Sequence, residues 1–113
     1  MNWLQNRFQS FDTRIACVEA GRAWSYAEFL TAIDAAKSAL GAERVVPIET
    51  ASAVEGLAQL LAIAETSHIA LPLPPTLPAA ERERMRAVAA ESPLYDQLGD
   101  SSGLIIFSSG TSG

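Results

Sequence analysis

The fold is decided by residues 44–73, which read RVVPIETASAVEGLAQLLAIAETSHIALPL. Residues 44–48 are rich in β-branched side chains and predict a strand, and residues 69–73 predict a second strand. Strands that are separated by a helix of about a dozen residues are typical of a parallel sheet with helices on its faces. The sequence therefore predicts an α/β fold, built on a partial, doubly wound and mostly parallel sheet.

The segment between these two strands predicts a helix that opens at Ser52. Ser52 and Glu55 have the spacing of a capping box, in which each side chain bonds the backbone amide of the other residue. The helix is apolar nearly all round as far as Ala64, so it must be covered on more than one side. We therefore expect it to be a buried crossover.

Strands and helices also alternate on both sides of this unit, after an N-terminal β-hairpin. A further capping box, formed by Ser25 and Glu28, opens another predicted helix. This helix runs from Ser25, and Gly41 is expected to end it in the left-handed conformation. Before it, the sequence predicts a short N-terminal helix with an apolar stripe at Leu4, Phe8 and Phe11, and then strands at residues 14–19 and 22–24 around an Ala20-Gly21 turn. The last two predicted elements are a helix from Pro78 to Glu91 and a strand at residues 104–107.

Composition narrows the class of protein. The chain has 113 residues and is 49% hydrophobic, which suits one globular unit with one core. Its net charge of -5 argues against a nucleic-acid surface, because such a surface requires clustered Lys and Arg. Arg82, Arg84 and Arg86 interleave with Glu81 and Glu83, and this pattern predicts a solvated, ion-paired helix face.

Reactive side chains are scarce in this sequence. Cys17 is the only cysteine and His68 the only histidine, so the sequence offers no internal disulfide and no zinc site. His68 is expected to be a loop or helix-end histidine and not a catalytic one. Cys17 alternates with Ile15 in a predicted strand and is expected to be a small buried residue. No signal peptide and no membrane-spanning segment is predicted, and the single cysteine suits a reducing compartment. We therefore expect a cytoplasmic protein.

The strand at residues 104–107 runs directly into a loop of hydroxyl residues and glycines: Ser108, Ser109, Gly110, Thr111, Ser112 and Gly113. Glycines let a backbone approach an anion closely, and hydroxyls donate hydrogen bonds to phosphate oxygens. The loop is not a Walker motif, because no Lys lies near it. The same composition is also typical of a flexible linker, and the loop alone leaves both interpretations open.

Three stretches occur in order along the chain: residues 24–29 (WSYAEF), residues 71–78 (LPLPPTLP) and residues 103–113 (GLIIFSSGTSG). The last of these resembles the phosphate-loop motif of the adenylate-forming superfamily, which includes acyl-CoA synthetases, aryl-acid and fatty acyl-AMP ligases, luciferases and peptide-synthetase adenylation domains. The first two resemble that family's Thr-Tyr-x-Glu-Leu and Val-Pro-Leu-Asp-Pro-x-x-Pro stretches. Pro74 departs from the family's usual Asp or Asn, and residues 92–102 are too few for the further strand and helix that the family has there.

The resemblance implies a ligase that binds ATP, Mg²⁺ and a carboxylic acid such as a fatty or aryl acid. Such a ligase forms an acyl-adenylate and passes the acyl group to coenzyme A or to the phosphopantetheine arm of an acyl carrier protein. The resemblance assigns the ATP phosphates to all six loop residues, Ser108, Ser109, Gly110, Thr111, Ser112 and Gly113. Thr111 is the first choice for a direct phosphate contact and for a position near Mg²⁺, and no catalytic residue is assigned in this chain.

The resemblance also implies that residues 1–113 are the N-terminal portion of a larger domain. The family's motif lysine, acidic metal ligand, acyl pocket and catalytic lysine come later in its sequence, so we expect the 113-residue chain alone to be inactive. An uncovered sheet is expected to make the isolated chain self-associate or be only marginally stable. Three alternatives stay open: an amino-acid adenylation domain of a nonribosomal peptide synthetase, a non-catalytic anion-binding α/β module, and a structural segment whose tail is a linker.

Overall fold

A computed structural model describes residues 3–91, 99 and 101–106 of the chain. In chain order the elements are α1 (Trp3–Phe11), β1 (Ile15–Glu19), β2 (Arg22–Ser25), α2 (Tyr26–Ala39), β3 (Val45–Ile48), α3 (Ala53–Ala64), β4 (Ile69–Pro72), α4 (Ala79–Glu91) and β5 (Gly103–Leu104). The protein is therefore α/β, as the sequence predicts. Within these ranges no helix is both long enough and apolar enough to span a membrane.

The central sheet has the strand order β3-β4-β5, and its three strands run parallel. Val45 of β3 pairs with Ile69 of β4, which pairs on its other side with Gly103 of β5. Ile69, Ala70 and Leu71 in the middle strand are 0% exposed. A continuous apolar run of this kind is typical of a strand that is covered on both faces.

The helices α3 and α4 cover opposite faces of this sheet. Ile63 of α3 packs on the face that carries Ile48 and Ala70, whereas α4 packs on the face that carries Leu71 and Leu73. Both crossovers step in the same direction across the sheet, from β3 to β4 and from β4 to β5.

The side of α3 that faces away from the sheet is covered by α2. Val54, Ala58 and Ala62 of α3 pack against Phe29 and Ile33 of α2, and each of the five is at most 4% exposed. Burying a side chain as large as Phe or Ile contributes about 1.5–3 kcal/mol. The prediction that α3 is covered on more than one side is confirmed.

The N-terminal hairpin has the predicted two-residue turn. Ala20 and Gly21 have φ angles of 51° and 80°, and two positive φ values in succession are what a type I′ hairpin turn requires. β1 and β2 pair antiparallel, with Cys17 opposite Trp24. The hairpin therefore forms a separate two-stranded sheet, and Cys17 and Trp24 pack against the core that α2 and α3 share.

The first helix docks on α2 through aromatic rings. The ring centroid of Phe8 lies 5.1 Å from that of Tyr26 and 5.9 Å from that of Phe29, and Phe11 lies 5.4 Å from Tyr26. Two members of the predicted apolar stripe thus pack as expected. The side chain of Leu4 is outside the part of the chain that the structure describes.

The predicted end of α2 is wrong. Gly41 is not among the residues with positive φ, and the helix ends at Ala39 with Leu40 in an extended conformation. The Leu40 N–H donates to the Lys37 carbonyl at 3.2 Å, so the last turn tightens and no left-handed residue is needed. Leu40 can then turn into the core, where it packs against two of the buried clusters.

β5 is shorter than the predicted strand. Its ladder covers Gly103–Leu104 and ends with the Ile105 N–H, which donates to the Ala70 carbonyl at 2.8 Å. Pro72 is the next residue of β4 that faces β5, and it has no N–H to donate to the Ile105 carbonyl. Pro72 therefore removes the next ladder hydrogen bond that β4 could donate to this side of the sheet. Phe107, the last residue of the predicted strand, lies outside the described residues.

Candidate functional site

The carboxyl edge of the parallel sheet is the candidate site. β3 ends there at Ile48 and β4 ends there at Pro72. β5 points to the same edge because it pairs parallel with β4. Ile106 is the last residue that the structure describes, and in the sequence Ser108 follows two residues later. Ligands of open α/β sheets bind at this edge.

The six residues predicted to bind the ATP phosphates, Ser108, Ser109, Gly110, Thr111, Ser112 and Gly113, all lie outside the described residues. The predicted position of Thr111 near Mg²⁺ therefore stays a prediction. The described part of this edge consists of the N-terminus of α3, the end of β3 and the first turns of α4. The hydrogen bonds and ion pairs of these parts indicate which donors and cations are available to a ligand at this edge.

The N-terminus of α3 is occupied by a carboxylate from the hairpin. Oε1 of Glu19 accepts hydrogen bonds from the Ser52 hydroxyl at 2.7 Å and from the Val54 amide at 3.3 Å. Its Oε2 accepts a hydrogen bond from the Ala53 amide. The free amides of a helix's first turn are a natural anion site, so the chain supplies the anion for this one itself.

These hydrogen bonds lower the pKa of Glu19. The Ser52 hydroxyl is the largest cause, the Ala53 amide is the next, and partial burial acts in the opposite direction. The carboxylate is therefore ionised at neutral pH, and it interacts favourably with the positive end of the α3 dipole. A phosphate at this edge must find its donors elsewhere or displace Glu19.

The predicted capping box of α3 is only half formed. The Glu55 amide donates to the Ser52 hydroxyl at 3.2 Å, but the Ser52 amide donates to the Thr50 hydroxyl at 3.1 Å instead of to Glu55. The Thr50 hydroxyl in turn donates to Oε2 of Glu55 at 2.9 Å. A hydroxyl can both accept and donate, so Thr50 bridges the two groups that were expected to bond directly.

The prediction of an ion-paired face on α4 is confirmed within the helix. Arg84 donates to Glu81 at 2.7 Å, and Arg86 donates to Glu83 at 3.0 Å. Both pairs are three residues apart along the helix, where side chains are neighbours. Such exposed pairs contribute little stability individually.

A second set of ion pairs joins α4 to the end of β3, and the sequence does not predict it. Arg82 donates to Oε2 of Glu49 at 3.1 Å, and Arg86 donates to Oε1 of the same carboxylate. The hydrogen bond from Arg86 is the largest cause that lowers the pKa of Glu49. Both arginines near this edge are thus engaged by a carboxylate, and neither is an uncommitted cation for a phosphate.

An open hollow of about 350 Å³ lies at the same edge, on the face of the sheet that α3 covers. Its apolar lining is formed by Ile48, Gly56, Leu57, Leu60 and Pro72. The hydroxyls at its rim, Thr50 and Ser52, both make the hydrogen bonds given above. The hollow therefore offers mainly apolar contact.

Neither Cys17 nor His68 forms a catalytic pair with a described residue. Burial raises the pKa of the Cys17 thiol, and the Glu19 carboxylate is a second cause, so the thiol is protonated and a poor nucleophile at neutral pH. His68 lies at the opposite edge of the sheet, with Nδ1 2.8 Å from the Thr66 hydroxyl and Nε2 3.0 Å from the Gly41 carbonyl. Within the described ranges no three His, Cys, Asp or Glu residues are grouped to hold a metal.

Sequence reasoning missed Glu19 and Glu49, the two carboxylates that organise this edge. Their partners are 33 to 37 residues away along the chain. No local pattern links residues at such separations. The only signal in the sequence is an acidic residue at the end of a predicted strand, which is too common to identify a site.

Comparison of the chain with protein-family models, with curated proteins and with solved structures finds no match in any of the three.

Proposed function

We propose that the chain is the N-terminal portion of an ATP-dependent carboxylic acid ligase of the adenylate-forming type, and that residues 108–113 bind the ATP phosphates. The observation that carries this proposal is the direction of β5. This strand is parallel to β4 and points to the carboxyl edge of the sheet, and the sequence leads from it into the Ser/Gly loop. A loop after such a strand is where open α/β sheets bind their ligands.

The groups around this edge support the loop as the source of phosphate donors. Glu19 occupies the first-turn amides of α3, and Glu49 engages the side chains of Arg82 and Arg86. A triphosphate at this edge therefore has few uncommitted donors in the described part of the chain. The four hydroxyls and two glycines of residues 108–113 are of the types that can supply them.

In this ligase, residues 108–113 hold and orient the β- and γ-phosphates while a carboxylate attacks the α-phosphorus, which expels pyrophosphate and leaves an acyl-adenylate. Mg²⁺, when bound, would supply charge neutralisation on the phosphates, and Thr111 is the residue of the loop that we propose would lie near it. Reactions of this type depend mainly on positioning and on charge stabilisation. The thiol of coenzyme A or of an acyl carrier protein then attacks the acyl carbon, which releases AMP and leaves a thioester. We propose a cytoplasmic location.

The test is acid-dependent pyrophosphate exchange by the full natural polypeptide that contains this chain. Replacing Thr111→Ala is expected to lower the exchange rate by about 10²-fold, the usual effect of removing one donor to a developing negative charge. The matched control is Thr31→Ala, because Thr31 is an exposed threonine on α2. An unchanged rate in Thr111→Ala contradicts the proposed role of the loop.

Three outcomes separate the proposal from its alternatives. Exchange that depends on an amino acid instead of a fatty or aryl acid indicates a peptide-synthetase adenylation domain. Pyrophosphate binding without exchange in the full polypeptide indicates an anion-binding module, and the absence of both indicates a linker. The 113-residue chain by itself is expected to give no exchange with any acid, and measurable exchange from it contradicts that expectation.

A further inference from the structure

We draw no further inference here: the strongest candidate, the apolar surface that Leu57, Leu60, Leu104 and Ile106 form on the α3 face of the sheet beside the free edge of β5, carries no proposal because nothing in the described part of the chain shows what covers it.

Discussion

The two outer edges of the parallel sheet differ in what they present to a further strand. On β3 the backbone N–H and C=O groups of the odd-numbered residues point outward, because those of the even-numbered residues hydrogen-bond with β4. Pro47 therefore leaves a gap in the outward row of N–H groups. On the β5 side the amides of Gly103 and Ile105 hydrogen-bond with the middle strand, so the backbone groups of Leu104, which lies between them, point outward. In the described ranges no strand pairs with either edge.

The side chains differ between the two edges in the same sense. The end of β3 is tied to α4 by Glu49, and Val45 packs in the cluster beneath that helix. Leu104 and Ile106 are 51% and 72% exposed. Proteins commonly protect the outer edge strand of a sheet with proline or charge. β3 has these features of an outer edge strand, whereas β5 lacks them. This difference supports the proposal that the chain belongs to a larger domain.

The largest expected effect is on stability, and it contrasts a core leucine with an edge leucine. Leu71→Ala should destabilise the protein by about 2–5 kcal/mol, because Leu71 is 0% exposed and its removal leaves a cavity under α4. Leu104→Ala should cost less than about 1 kcal/mol, because half of its side chain is already in water. Urea unfolding followed by circular dichroism measures both values. Equal costs contradict the view that the β5 side is uncovered.

The second effect is on association of the isolated chain. We expect the wild-type chain to self-associate with increasing concentration, and the double variant Leu104→Glu, Ile106→Glu to shift it towards the monomer, because a carboxylate on the exposed edge opposes apolar contact. Val88→Glu is the matched control, since Val88 is 48% exposed on α4. Sedimentation velocity measures the distribution. A wild-type chain that stays monomeric at high concentration overturns this expectation.

The third effect is a pH-dependent contribution of Glu49 at the β3 side. Because Arg86 and Arg82 lower its pKa, the carboxylate stabilises the fold above its usual pKa of 4.5, and this stability is lost as the pH falls through the lower pKa of the folded state. Glu49→Gln should therefore cost about 1 kcal/mol at neutral pH and progressively less in acid.

The measurement for Glu49 is urea unfolding across the acid range. Asp34→Asn on the exposed face of α2 provides the control, and its effect on stability at neutral pH should be small. A cost of Glu49→Gln that does not change with pH indicates a packing effect and contradicts the ion-pair explanation.

The smallest effect concerns the two strand prolines. Pro72→Ala restores an N–H that faces the Ile105 carbonyl, so the new amide should be protected from hydrogen exchange and β5 should lengthen. Pro47→Ala restores an N–H at the free edge of β3, where it should exchange rapidly. Each change alters stability by about 0.4–1 kcal/mol through the unfolded chain. Equally fast exchange at both new amides contradicts the proposed reason why β5 is short.

Local rules predicted the elements whose partners are close in sequence. The Ala20-Gly21 turn is present as predicted, with positive φ at both residues. The capping box of Ser25 and Glu28 is complete. The same rules were less accurate where a residue outside the motif intervened. Thr50 divided the second capping box, and Gly41 was not needed as a stop because Leu40 turned into the core.

The candidate site could be predicted only in part. The sequence predicts a loop after the last strand, and the parallel pairing of β5 with β4 supports the direction of that strand. The positions of the loop residues lie outside the described ranges, so their phosphate contacts stay a prediction. The sequence could not predict that Glu19 caps the N-terminus of α3, because a carboxylate that caps a distant helix has no fixed spacing from that helix.

The sequence by itself determined the α/β class, the order of the elements and most of their boundaries, because these depend on periodicity, capping and turn residues within a few positions of each other. Only the tertiary structure decided that α3 and α4 cover opposite faces, and that Pro72 removes a ladder hydrogen bond beside β5. It also decided that Glu19 caps the first-turn amides of α3 and that Glu49 pairs with Arg82 and Arg86. These features depend on which distant residues meet, and that is settled by the packing of whole elements.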